Sequence, residues 1–120
     1  MLRILPGLPD NVIGIEASGE IEDDDYEDVL EPTIEDRRQR HDKIRLLYVL
    51  GDDFDGYDAD AVWADAKLGF KTFNSYDRMA FVTDADWVRR SIKAIGWLIP
   101  GEVRLFSTAD LGTARTWIAE

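Results

Sequence analysis

The residues of this chain whose types and spacing invite chemistry lie mostly in one stretch, GDDFDGYDAD, from Gly51 to Asp60. Its aspartates offer the oxygen ligands that a hard cation such as Ca²⁺ or Mg²⁺ requires. A calcium loop of the EF-hand type carries acids at its first, third and fifth positions, glycine at the sixth and glutamate at the twelfth. With Gly56 as the sixth, Asp53 and Asp55 fall correctly, but Gly51 and Val62 occupy the first and twelfth. The loop therefore fails at both ends. His41, the only histidine, stands among arginines near the end of a helical pattern, where a cation complements the helix dipole. One histidine builds no histidine cluster, and a general base needs a partner and a pocket that the sequence does not display. Ser18, Ser75, Ser91 and Ser107 sit in no nucleophile motif, and there is no glycine-rich phosphate loop. With no cysteine in the chain, thiolate chemistry and thiolate zinc sites are excluded. No catalytic residue, cofactor or metal site is expected.

A second reading of the same stretch is phosphoryl transfer. DFDG resembles the aspartate-x-aspartate-glycine start of haloacid-dehalogenase-type phosphatases, which implies Asp53 as nucleophile and Asp55 as acid/base, with Thr83 as a phosphate-binding hydroxyl. Against it, the apolar run ends two residues before Asp53. The chain is also short for that fold. The simpler expectation is a solvated turn whose acids cap the next helix, with Asp58 or Asp60 at its N-terminus.

The elements that must position these residues follow from hydrophobic spacing. LRILP and NVIGIEASG read as two short strands separated by the turn-rich GLPD, hence a hairpin at one edge. EIEDDDYEDVLEPTIEDRRQRHDK reads as a helix, with Asp23, Asp24 and Asp25 where it starts and Arg37, Arg38 and Arg40 where it ends. Tyr26, Val29, Leu30 and Ile34 share its apolar face, and Pro32 predicts a kink. IRLLYVLG is a continuous apolar run, suited to a central strand covered on both faces. ADAVWADAKLGFKTF, DADWVRRSIKAIG and TADLGTARTWIAE have helical spacing, and RMAFVT and EVRLF read as strands. This alternation predicts an α/β fold: an N-terminal hairpin, then βα units on a mostly parallel sheet, with about four helices.

Composition sets the bounds. With 45% apolar and 32% charged residues, the 120 residues form a single domain, 1–120, with room for one core. The formal charge is −11 and unevenly placed. Residues 1–60 hold 18 acids and 6 bases, net −12, and residues 61–120 hold 7 acids and 8 bases, net +1. An acidic front half argues against nucleic acid as a partner. No apolar run approaches the length that spans a bilayer, and the N-terminus, with two prolines and no long apolar core, does not read as a signal peptide. The expected location is cytoplasmic, with a peripheral place at the membrane as the variant.

Two helices carry apolar residues beyond what a sheet-facing side requires. In the segment Ala59–Phe73, Val62, Trp63, Ala66, Phe70 and Phe73 form the main face, while Ala61, Ala64 and Leu68 make a second stripe opposite. In the segment Ala85–Gly96, Trp87, Val88, Ser91, Ile92, Ile95, Leu98 and Ile99 share one face, and Arg89, Arg90 and Lys93 the other. Trp97 falls among the basic residues if the helix continues. Gly96 is therefore expected to end the helix in a left-handed turn, leaving Trp97, Leu98 and Ile99 as an apolar loop before Pro100.

ILPGLPDNV, DDDYEDVLEPTIED, KIRLLYVLGDDFDGYDADAVWADAKLG and RMAFVTDADWVRRSIKAIGWLIPGEVRLF together resemble the SpoIIAA-like family over nearly the whole chain. That family is similar to the STAS domains of anti-sigma-factor antagonists and sulfate transporters, and in architecture to CRAL-TRIO (Sec14-type) lipid-binding domains. The resemblance implies a non-enzymatic module with a pocket for a small nonpolar ligand or lipid under two mobile helices that touch membranes. Here it points to Trp63, Phe70, Ile92, Ile95, Trp97 and Leu98 as ligand-binding residues. Arg89, Arg90, Lys93 and Trp97 would contact the membrane, each basic residue contributing about 1 kcal/mol on an anionic surface, with Trp97 at the interface. Anti-sigma-factor antagonists carry a phosphorylatable serine after the central strand, but 51–66 holds no serine or threonine, so such a switch is not expected. The alternative is a protein–protein interaction module, either a homodimer or an antagonist-like partner contact, on the same apolar surface.

Overall fold

The chain's densest apolar run, Ile44 to Leu50, forms the middle of a five-stranded sheet. The computed structural model describes residues 1–57 and 72–120, without the side chains of Asp52, Asp53, Asp55, Tyr57 and Phe73. The strands are β1 (Leu2–Leu5), β2 (Val12–Ile21), β3 (Ile44–Tyr57), β4 (Tyr76–Thr83) and β5 (Glu102–Phe106), in that spatial order. β1 runs antiparallel to β2 as the expected hairpin, and every later pairing is parallel. Ile44, Leu46, Tyr48 and Leu50 point into one core cluster and Leu47 and Val49 into another. Leu46 to Leu50 are apolar without a break, as a strand buried on both faces requires.

Three helical elements lie among the described residues, where the sequence suggested about four; the helix expected over Ala59–Phe73 falls mostly on 58–71, outside the described residues. The first, α1, spans 23–40. Its first turn is capped by Glu22 and Asp25, whose carboxylate accepts the Glu22 N–H at 2.9 Å. The expected kink at Pro32 takes the form of a π-helical turn at Tyr26–Leu30, directly before the proline. Proline has no N–H to return to the preceding turn. The wider turn, closed by Glu31 N–H on the Tyr26 carbonyl, absorbs the interruption and keeps Tyr26, Leu30 and Ile34 buried together. The second, α2 (Asp86–Ile95), lies on the same face through Val88. The third, α3 (Leu111–Ala119), turns back onto the opposite face, burying Ala114, Trp117 and Ile118.

The ends of these elements are tied by charged side chains. Arg40 donates two hydrogen bonds to the Asp10 carboxylate in the hairpin turn, at 2.9 and 3.0 Å, and His41 Nε2 lies 2.7 Å from it. Arg37 reaches the Asp10 carbonyl at 2.8 Å. The Arg40 and His41 hydrogen bonds hold the Asp10 carboxyl well below the usual carboxylate range. The last carbonyls of α3 are met by Arg45, on Ile118 at 3.0 Å, and by Arg78, on Trp117 at 2.8 Å.

The acidic stretch corrects one expectation. Gly51 to Tyr57 is not a turn but the continuation of β3, paired with β2 through Gly19↔Phe54, Glu20↔Gly56 and Ile21↔Tyr57. Composition there favours a turn, yet the ladder to β2 and the inward packing of Phe54 prevail. Register shifts on either side of Gly19 accommodate the extra length. Gly56 has a φ of +121°, which a residue with a side chain rarely adopts. The expected caps at Asp58 and Asp60 lie outside the described residues.

Candidate functional site

β4 stops at Thr83, paired with Leu50, while β3 runs on through Tyr57 with β2 as its one partner among the described strands. This difference in length leaves a step at the carboxyl ends of the parallel strands. A cleft of about 210 Å³ occupies it, lined by Leu50, Gly51, Phe54, Thr83, Asp84, Ala85 and Trp87. In open α/β sheets, ligands bind beyond the carboxyl ends of the strands. Phe54 and Trp87 stack with ring centroids 6.1 Å apart and planes 23° from parallel. The buried Thr83 hydroxyl accepts the Ala85 N–H at 3.1 Å, which turns the chain into α2. Asp84 accepts the Thr108 N–H at 3.1 Å and the Thr108 hydroxyl. Those bonds lower its pKa and join the turn after β4 to the turn after β5.

α2 buries a narrower strip than its sequence suggests. Val88 is buried and Ile92 and Ile99 are half-buried against the core, but Trp87 is 51%, Ile95 56%, Leu98 55% and Trp97 77% exposed. The exposed residues lie on two flanks. Trp87 faces Phe54 and the cleft. Trp97 instead lines a shallow groove of about 320 Å³ with Ile92, Lys93, Gly96, Val103 and Leu105, on the β5 side.

The three basic residues separate as well. Arg89 is half-buried, and its Nη1 donates to the Thr83 carbonyl at 2.9 Å and the Phe106 carbonyl at 3.1 Å, the final residues of β4 and β5. Its charge satisfies strand ends. Arg90 and Lys93 remain exposed, the former with Nε 3.4 Å from the Asp86 carbonyl. The left-handed stop expected at Gly96 is not formed. Its φ and ψ are −59° and −29°, and the chain continues into a 3₁₀ turn, Gly96–Leu98. The Trp97 indole N–H donates to the Ala94 carbonyl at 2.9 Å, satisfying its one polar atom within the helix end and leaving the ring outward.

Of the residues expected to bind ligand, Ile92 and Trp97 share the β5-side groove, while Ile95 and Leu98 are exposed outside the cleft residues. Trp63 and Phe70 lie outside the described residues. Sequence reasoning missed Leu50 and Phe54 at the cleft. The signal was present, because Leu46, Tyr48, Leu50 and Phe54 keep a period of two along one face of β3, but the intervening aspartates read as a turn. Asp53 and Asp55 lie in the strand. His41 precedes β3 and so sits at the opposite end of the sheet from the cleft.

An N-terminal hairpin, a parallel sheet extended by βα units and a final helix on the reverse face define a small α/β domain with its cleft at the strand ends. The SpoIIAA-like family model matches residues 12–119, and the chain belongs to that family. A solved structure of similar fold is an uncharacterized protein of the DUF3478 family from Shewanella loihica PV-4, itself described as having a SpoIIAA-like fold. The two share 24% identity and a TM-score of 0.76 over 98% of this chain and 93% of the other. No curated protein matches the chain.

Proposed function

We propose that this chain is a non-enzymatic binding module that takes a small nonpolar ligand or lipid chain in the cleft between β3, β4 and α2. The observation that carries this reading is the Phe54–Trp87 ring pair, which with Leu50 and Ala85 forms the apolar part of the cleft at the carboxyl ends of the strands. Both rings present faces that an aliphatic or aromatic group can cover. Ile95 and Leu98, exposed beyond Trp87 with Arg90 on the same helix, suit collection of the ligand from an anionic membrane surface. Arg89 has no part in that contact, because its guanidinium is committed to two carbonyls.

Titration with stearate brominated on its chain tests the proposal. Saturable quenching of tryptophan emission that falls sharply in Trp87→Phe and Phe54→Ala is expected. Quenching that is absent, or equal in both variants and the wild type, would sink the cleft as the site.

A further inference from the structure

Among the described strands the sheet ends at β1 on one side and β5 on the other. An end strand carries backbone N–H and C=O groups without a neighbour. β1 is a poor template: four residues long, followed by Pro6, with Arg3 drawn to Glu16 at 2.8 Å. β5 differs. Glu102 and Arg104 alternate on one face, and Val103 and Leu105 on the other line the groove crowned by Trp97, the most exposed large apolar side chain described.

We infer that β5 pairs antiparallel with β5 of a second copy about a twofold axis at Val103, joining two sheets into one. Charge selects both the occupant and the register. Centred on Val103, the pairing sets Glu102 opposite the partner's Arg104 and Arg104 opposite the partner's Glu102. Directly opposed residues of unlike charge attract and like charges repel. A register centred on Arg104 instead opposes two arginines and leaves Glu102 against the partner's Phe106. The twofold axis stands perpendicular to the sheet, so α2 of both copies lies on the same side. The partner's Val103 then falls opposite Val103, one of the two β5 residues that line the groove with Trp97. This inference uses the β5 flank of α2 and does not rest on the cleft reading, which uses the Trp87 flank.

Light scattering of the full chain across concentration, with charge-reversal variants, provides the test. The wild type should have the mass of a dimer at micromolar concentration. Arg104→Glu and Glu102→Arg should each weaken the dimer roughly tenfold by setting like charges opposite, and the double swap Glu102→Arg with Arg104→Glu should recover it. Because Arg104 also lies 4.8 Å over the Trp117 ring and Glu102 meets Arg104 and Arg78 within the chain, thermal unfolding verifies the fold of each variant, and the double swap is the decisive comparison. The chain has no cysteine, so Val103→Cys should give a disulfide-linked dimer on oxidation, whereas Ser91→Cys should not. A monomeric wild type at every concentration would overturn the inference, as would a double swap that fails to restore dimerisation. A monomer whose flotation with phosphatidylserine vesicles is abolished by Trp97→Ala would assign the Trp97 flank to lipid instead.

Discussion

α2 and α3 are near twins in kind, ten and nine residues long, each following a parallel strand and each bearing tryptophan. They treat that residue in opposite ways. Trp117 of α3 is 7% exposed, packs against Phe106 with centroids 6.0 Å apart, and lies 5.0 and 4.8 Å from the guanidinium carbons of Arg78 and Arg104. Trp87 of α2 is half exposed, and Trp97 just beyond it is almost bare. Both helices are apolar on one side, so pattern alone does not decide burial. What differs is the anchoring: α3 is drawn down by arginines from β3 and β4 that bind its last carbonyls, whereas Arg89 of α2 reaches past its own helix to the strand ends. α3 is built for stability and α2 keeps apolar surface in reserve.

Substitutions separate the two roles. Trp117→Ala should have the largest effect, destabilising the fold by about 3–5 kcal/mol in urea denaturation, as for other buried aromatics. Arg89→Met should come next, at about 1–3 kcal/mol, because two carbonyls lose a charged donor; the same variant should leave stearate binding unchanged. Trp87→Ala should lower stability by only about 0.5–1.5 kcal/mol, the worth of the ring pair with Phe54, while removing most ligand quenching. Trp97→Ala should stay within about 0.5 kcal/mol of the wild-type monomer. If Trp97→Ala proved as damaging as Trp117→Ala, the contrast between the helices would fail.

The smallest effect concerns the latch at Asp10. Its folded pKa lies below the ordinary 3.8, so its contribution to stability is complete above that value and is lost as pH falls toward the folded pKa. The melting-temperature gap between wild type and Asp10→Asn should therefore be constant near neutrality and narrow below about pH 4. A gap that widened on acidification would show that Asp10 is not held by the cations around it.

Much of this arrangement was legible in the residues. Ile44 to Leu50 announced a doubly covered strand, and the spacing of Tyr26, Leu30 and Ile34 announced the buried face of α1, because burial on a regular element imposes a period. The misreadings arose where a long-range ladder overrode local composition. Gly51 to Tyr57 looked like a turn and is strand, since its partner is β2, distant in sequence. Gly96 looked like a helix stop and is helical, since the polar edge of Trp97 closes the turn instead. The committed state of Arg89 had no sequence signal at all, because its acceptors are carbonyls brought together only by the sheet.

The step where β3 outruns β4 has one more implication. Depth there is measured in strand residues, and a strand turns its side chains over at every residue. Removing one position from the overhang would rotate Phe54 away from Trp87 and destroy the recess. Removing two, matched in β2, would keep the same faces inward and only make it shallower. The overhang is thus a ruler graduated in pairs, which sets the depth of the recess without any change to the core.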